Sequence, residues 1–264
     1  MSEAYETILF EKGDDHVATV TINRPQVLNS FNLKMCSEFQ ALWRRVGQDN
    51  DIHTVVLRAA PGRAFSTGFD VRSGDKILGH DNMWTQTDPG DRLGPKQNKC
   101  WKPVITAVHG MCAGGAFYWV NESDIVMCSA DAEFFDPHVT YGMAAALEPI
   151  GLRWRIQLGE VLRMALLGND ERITAETALR IGLVTEVVEG DGLWKRAHAL
   201  AASIAAKPAI AVQATVRAIW ESLDQTRSAA LAGGLKFPQL ANPLGTAQVD
   251  RWAIMETKQS YERR

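Results

Sequence analysis

Apolar and β-branched residues crowd Tyr5 to Glu11 and His16 to Ile22, and Gly13-Asp14-Asp15 between them supplies a turn, so the chain is expected to open on a β-hairpin. After Asn23-Arg24-Pro25 the period changes. Met35, Phe39, Leu42, Trp43 and Val46 recur at helical spacing, with Asn32 placed to cap the helix and Gly47 to stop it. Thr54 to Ala59 (TVVLRA) and Lys102 to Val108 (KPVITAV) are short apolar runs of the kind buried strands give, each leading into a glycine-bearing segment. Residues 71 to 101, with Gly74, Gly79, Pro89, Gly90, Gly94 and Pro95 and no periodicity, are expected to form a mobile loop or lid. An apolar run follows at Asp124 to Cys128, then helical patterns over Val161–Leu167, Trp194–Ala206 and Ala209–Leu223, the last two separated by Pro208. This alternation predicts an α/β core over residues 1–199 and a helical region over residues 200–264.

Two glycine segments follow the two strands: Gly62-Arg63-Ala64-Phe65-Ser66-Thr67-Gly68-Phe69-Asp70 and His109-Gly110-Met111-Cys112-Ala113-Gly114-Gly115-Ala116. Neither ends in Gly-Lys-Ser/Thr and neither supplies GxGxxG, so the ordinary nucleotide-binding signatures fail. Glycines let a backbone approach a ligand closely, and Gly114-Gly115 opening a helix over Ala116 to Glu122 would present unpaired N–H groups to an oxyanion. Tight strand-to-helix turns would have the same spacing, and periodicity does not separate the two readings.

Composition narrows the partners. The chain has 264 residues, 46% hydrophobic and 22% charged, enough apolar material for a folded α/β unit. A formal charge of −3 gives no overall drive toward nucleic acid or an anionic membrane, and a small-molecule partner is expected. No apolar run nears the roughly 18 residues of a membrane span, and MSEAYETILF has no signal-peptide pattern, so a cytoplasmic protein is expected. Cys36, Cys100, Cys112 and Cys128 have no CxxC spacing and are expected to be free packing thiols; the six scattered histidines form no metal motif, so no metal is expected.

In combination, AFSTGFD and KPVITAVHGMCAGGA resemble the two signature loops of the crotonase superfamily, the enoyl-CoA hydratase/isomerase family. NRPQVLNSFN, DIVMCSADAEFFDP and RITAETALRIGLVTEVV are similar to further family segments, and the resemblance covers about residues 5 to 225. It implies a spiral of repeated ββα units, a helical C-terminal trimerisation region, and a homotrimer or a dimer of trimers. It implies a coenzyme A thioester as substrate, with no separate cofactor, and an oxyanion hole made by the backbone N–H groups of Phe69 and Gly115. The Phe69 side chain is then expected to pack on the acyl group or pantetheine. Coenzyme A would lie along the first loop, near Val27, Ala64, Ser66 and Gly68. Arg24 and Arg72 are candidate phosphate contacts, Asp70 supports the loop as a turn cap, and Lys236 and Phe237 would reach the nucleotide of a neighbouring subunit.

The sequence departs from the family where acid and base should stand. Hydratases of this kind use two glutamates to position and activate water. Matching motif to motif puts Tyr118 and His138 in those places. Tyr118 either donates a hydrogen bond or fills space. Glu122, one helical turn on, is read as structural. Glu148 is a candidate active carboxylate, or an acidic residue favoured in a helix's first turn. His138, oriented by Glu148 or Asp136, would be the general base. Hydratase or isomerase is therefore the broad reading. The alternatives are a C–C bond hydrolase using His138 with a carboxylate, and a catalytically silent acyl-CoA-binding protein. Met83, Trp84, Phe117, Phe134, Phe135 and Tyr141 are expected to shape the acyl pocket.

Overall fold

The computed structural model describes residues 5–75, 84, 87–257 and 261–263. The hairpin forms as its pattern predicts: β1 (Ile8–Lys12) and β2 (Val17–Ile22) pair antiparallel, with Ile8 opposite Ile22. α1 (Leu33–Gln48) buries Met35, Phe39, Leu42, Trp43 and Val46, and the Asn32 side chain accepts the Met35 amide at 3.0 Å. The helix runs past Gly47 to Gln48, because one glycine in a helix costs only about 1 kcal/mol.

From there the chain repeats one move, a strand into a large sheet and then a strand into a small one. β3 (Thr54–Ala59) is followed by β4 (Ala64–Ser66), and β5 (Val104–Val108) by β6 (Met111–Ala113). α2 (Phe117–Glu122) intervenes before β7 (Ile125–Ser129) and β8 (Glu133–Phe135). The return path is α3 (Leu147–Leu152), α4 (Leu158–Leu167), β9 (Ile173–Thr174), α5 (Ala175–Arg180) and β10 (Glu186–Val188). The six-stranded sheet has the order β1-β2-β3-β5-β7-β10 and the four-stranded sheet the order β4-β6-β8-β9. Beyond the hairpin, the large sheet is parallel. This is the expected α/β spiral of ββα units.

The core lies between the sheets and α1, where Trp43, Phe39, Phe65, Trp119 and Phe134 are fully buried. α6 (Leu193–Ala205) covers the outer face of the large sheet through Ala197, Ala201 and Ala205. Four further helices follow: α7 (Ala209–Ser222), α8 (Arg227–Gly234), α9 (Lys236–Thr246) and α10 (Arg251–Glu256). Among the described residues no single helix is long and apolar enough to cross a membrane.

The expectation of a mobile loop over residues 71 to 101 does not hold for its second half. Leu93 and Cys100 are fully buried, the Trp43 indole donates to the Leu93 carbonyl at 2.7 Å, and the Lys96 ammonium meets Asp124 at 2.8 Å. Gly90 and Gly94 are contact glycines: a Cβ at either would run into the Tyr118 ring or the Glu122 carboxylate. Gly79 and Met83 lie outside the described residues.

Candidate active site

Two loops meet where the strand-to-strand crossovers after β3 and β5 come side by side. Gly68 has φ +83, and a Cβ there would sit 2.8 Å from the Gly115 nitrogen and 3.0 Å from the Ala113 carbonyl, so only glycine lets these backbones touch. Phe31 locks the first loop from the other side: its amide donates to the Gly68 carbonyl and its carbonyl accepts the Asp70 amide, each at 2.8 Å. The Phe69 N–H is thereby left out of this ladder. Gly115 stands in the first turn of the short helical segment opened by Gly114, where amides have no intrahelical acceptor. A Cβ on Gly115 would strike the Phe31 ring, so that ring also fixes how deep the second loop sits.

The imidazole of His138 stands next to this pair: its Cε1 lies 3.6 Å from where a Gly114 Cβ would be. His138 opens a 3-10 turn (His138–Tyr141) that ends at Gly142, whose φ of +73 closes it. Asp136, wholly buried, holds both the His138 ring at Nδ1 (2.5 Å) and the His138 amide (3.1 Å) through the same oxygen, Oδ1. On the opposite ring edge, Nε2 is 3.9 Å from the Glu148 carboxylate on the first turn of α3. The hydrogen bond to Asp136 raises the His138 pKa above its usual value, against the opposing effect of burial. Burial raises the Glu148 carboxyl, with the His138 charge pulling it back. Imidazole and carboxyl thus face each other, each holding its proton more tightly than it would in water.

Comparisons with known proteins show the family. The family model described as enoyl-CoA hydratase/isomerase matches residues 12–239. The chain is 33% identical over 204 residues to (E)-benzylidenesuccinyl-CoA hydratase of Thauera aromatica, covering 77% of this chain and 78% of that one. The chain belongs to the enoyl-CoA hydratase/isomerase family. The short-chain-enoyl-CoA hydratase of Clostridium acetobutylicum is 30% identical, with 85% of each chain covered. The crystal structure of an enoyl-CoA hydratase/isomerase from Mycobacterium paratuberculosis superposes with a TM-score of 0.86 at 32% identity, over 98% of this chain and 99% of that one. Membership makes the protein an enzyme of lyase or isomerase type, in a family whose substrates are coenzyme A thioesters.

Of the residues expected to face coenzyme A, Val27 and those of the first loop lie together. The Asn29 side chain bonds the Ala60 and Ala64 carbonyls (3.3 and 2.9 Å), and the Thr67 amide donates to the Leu28 carbonyl, so the Val27 turn lies against the first loop. The Ala64 and Ser66 side chains are buried, and the Ser66 hydroxyl accepts the Gly68 amide at 3.2 Å. Arg72 is exposed. Arg24 is committed elsewhere: its guanidinium bonds Asp70 at 2.9 Å and the Ser30 carbonyl at 2.7 Å, tying the Val27 turn to the loop, so a free phosphate contact is not what the structure offers there. Asp70 also accepts the Arg72 amide. Lys236 pairs with Glu221 at 3.2 Å, and its ammonium lies over the Phe237 ring.

Other expected positions resolve by environment. The Tyr118 hydroxyl donates to Asp88 at 2.9 Å, and burial raises its pKa strongly. Glu122 accepts the Lys96 and Gln97 amides at 2.6 and 2.9 Å, and burial pushes its carboxyl to about 7. Phe117, Phe134 and Phe135 are core residues, while Trp84 and Tyr141 are exposed. Asp88 and Phe31 were not foreseen as site residues. Asp88-Pro89-Gly90 does carry a cap signal, and Asp88 caps the short helical turn that follows it. All four cysteines are buried and free, and no group of three metal-binding side chains occurs among the described residues.

Proposed function

We propose that this enzyme polarises an acyl-CoA thioester between the amides of Phe69 and Gly115 and moves a proton on the resulting enolate with His138 and Glu148. The observation that carries the reading is the convergence of the glycine pair with a histidine oriented by a buried aspartate and faced by a second carboxyl. The two N–H groups favour charge as it develops on the thioester oxygen, a term in which one donor is typically worth about 10²–10³ in rate. His138 and Glu148 hold one proton between them. In isomerisation the ionised carboxylate takes the proton from carbon, the electron pair moves into the C=C–O⁻ system, and the imidazolium returns its own proton to another carbon of the acyl chain. In hydration the carboxylate instead takes a proton from water as its oxygen bonds the β-carbon, and the imidazolium protonates the α-carbon of the resulting enolate. Asp136 keeps the imidazole in one orientation throughout.

His138 stands at one of the two positions where relatives carry a glutamate, Tyr118 at the other, and Glu148 reaches His138 from the first turn of α3. This pair of His138 and Glu148 supports isomerisation or hydration of an enoyl thioester. A second reading rests on the bond from Asp136 to Nδ1: with Nε2 as base toward water, the same site would cleave a C–C bond hydrolytically. Incubation with a panel of 2-enoyl-, 3-enoyl- and β-diketo-acyl-CoAs, followed by product identification, separates the two. Shifted or hydrated enoyl products support the first reading and two-fragment products the second. Tight binding with no product from any of them would make the protein an acyl-CoA binder and overturn both. Coenzyme A is assigned to the groove between the Val27 turn and residues 64–67. A homotrimer or dimer of trimers is the assembly we propose, supported by the exposed Leu231, Leu235, Leu240, Leu244 and Trp252 of the C-terminal helices, and light scattering on the purified protein measures it.

A further inference from the structure

A cavity of about 360 Å³ opens between α2, α3 and α7 on the far side of Tyr118. Tyr118 and Leu147 line its inner end; Leu147 precedes Glu148, and the Asn121 amide bonds the Glu148 carbonyl at 2.9 Å. Its sides are Ile150, Trp101, Trp154 and Trp220. The Trp220 ring is fixed in place, its indole donating to Asp124 at 2.6 Å and one face lying 5.6 Å from the Lys96 ammonium. A preformed recess lined by Tyr118 and by Leu147, the residue next to Glu148 in the chain, suits the part of an acyl chain beyond the reacting carbons.

We infer that this recess is the distal acyl subsite and that it selects ring-bearing, non-anionic acyl groups of roughly bicyclic size. The inference rests on the acyl-CoA reading above. Size follows from volume: a cavity of roughly 150 Å³ accommodates benzene, and this one has somewhat more than twice that space. Shape follows from three indoles, whose flat faces and edges pack on aromatic or polycyclic surfaces at centroid distances of roughly 4.5–7 Å. Charge follows from the rim. Asp91, Glu122, Glu221 and Asp224 line the cavity, and among its described lining residues the one cation, Lys96, is already 2.8 Å from Asp124. Glu221 is already paired with Arg217 and Lys236, and Glu122 is pushed to about 7, so Asp91 and Asp224 carry the charge of the rim. An acyl group ending in a carboxylate would meet these two with no free cation among the described lining residues.

Calorimetric titration of the full-length protein with three thioesters tests this without requiring turnover: crotonyl-CoA, 3-(2-naphthyl)acryloyl-CoA, and the latter with a 6-carboxylate. The naphthyl thioester is expected to bind at least tenfold more tightly than crotonyl-CoA, and the carboxylated one at least tenfold more weakly than the naphthyl one. Ile150→Trp, at a position exposed enough to fold with the larger ring, is expected to reduce the naphthyl preference to within about threefold. Equal affinity for crotonyl and naphthyl thioesters, or a preference untouched by Ile150→Trp, overturns the subsite and leaves the acyl-CoA reading standing. Failure of all three to bind overturns both.

Discussion

Gly68→Ala is the substitution whose consequences can be worked out most fully. The residue has φ +83, where an L side chain costs about 1–2 kcal/mol. That alone would be a modest loss of stability. The new methyl would also lie 2.8 Å from the Gly115 nitrogen and 3.0 Å from the Ala113 carbonyl, both backbone atoms of a loop that Phe31 buttresses from behind. Neither contact can be relieved by a rotamer change, so the two loops must part by several tenths of an ångström, and the Phe69 and Gly115 amides with them. Donors preorganised for an oxyanion lose their value steeply when displaced, and loss of one costs about 10²–10³ in kcat. The expected result is a fall in kcat of at least about a hundredfold on whichever enoyl-CoA the wild type turns over. KM should change little, and the melting temperature should fall by several degrees with the circular dichroism spectrum intact. A variant within threefold of wild-type kcat would refute the assignment of these amides.

Other consequences follow from the same geometry. Activity should be bell-shaped in pH, because the His138–Glu148 pair works while it holds one proton. Asp136→Asn removes the largest cause that raises His138, so the last proton leaves at lower pH and the alkaline limb should move down; an unmoved limb in a kcat/KM profile would count against the pair. Glu122, raised from 4.5 to about 7 in the fold, binds its proton more tightly folded than unfolded. Its contribution is therefore fully present below pH 4.5 and lost as pH rises through 7, a change of about 3 kcal/mol. Glu122→Gln keeps an acceptor for the Lys96 and Gln97 amides, so denaturant melts of this variant should show a flatter stability profile between pH 5 and 8. Asn29→Ala leaves buried carbonyls of Ala60 and Ala64 without their donor and should cost about 1–3 kcal/mol. It should also raise KM for the thioester, measured by initial rates, since the Val27 turn loses its tie to the first loop.

Much of this architecture can be read directly from the chain. Strong local signals did what they promised: the stripe from Met35 to Val46 became α1 under its Asn32 cap, and TVVLRA and the KPVITAV run became β3 and β5. The glycine segments were ambiguous by spacing, and the backbone resolves part of that, since Gly68 needs its positive φ and its lack of a Cβ for one specific approach to Gly115. Residues 88–101 misled because Gly90 and Gly94 look like hinges in sequence. Their purpose is tight packing on Tyr118 and Glu122, which no local pattern records. Arg24 was legible as a charge but not as a strap, because its partner Asp70 lies 46 residues away. The aromatic residues Phe117 and Phe134 could be core or pocket by composition, and burial decides for core. The His138 environment was half visible: Asp136 is two residues away in sequence, whereas the facing Glu148 depends on how the turn ending at Gly142 brings α3 back.

The central claim is that a thioester enolate forms here and that His138 and Glu148 move its proton. Mass spectrometry of acyl-CoAs recovered from incubation with the enzyme in deuterium oxide tests it directly. The account predicts deuterium at the α- or γ-carbon with wild-type protein, and at least a hundredfold slower incorporation with His138→Gln or Glu148→Gln, both of which should still bind the thioester. Undiminished incorporation in these variants, or none with wild-type protein that binds the same acyl-CoAs tightly, would contradict it.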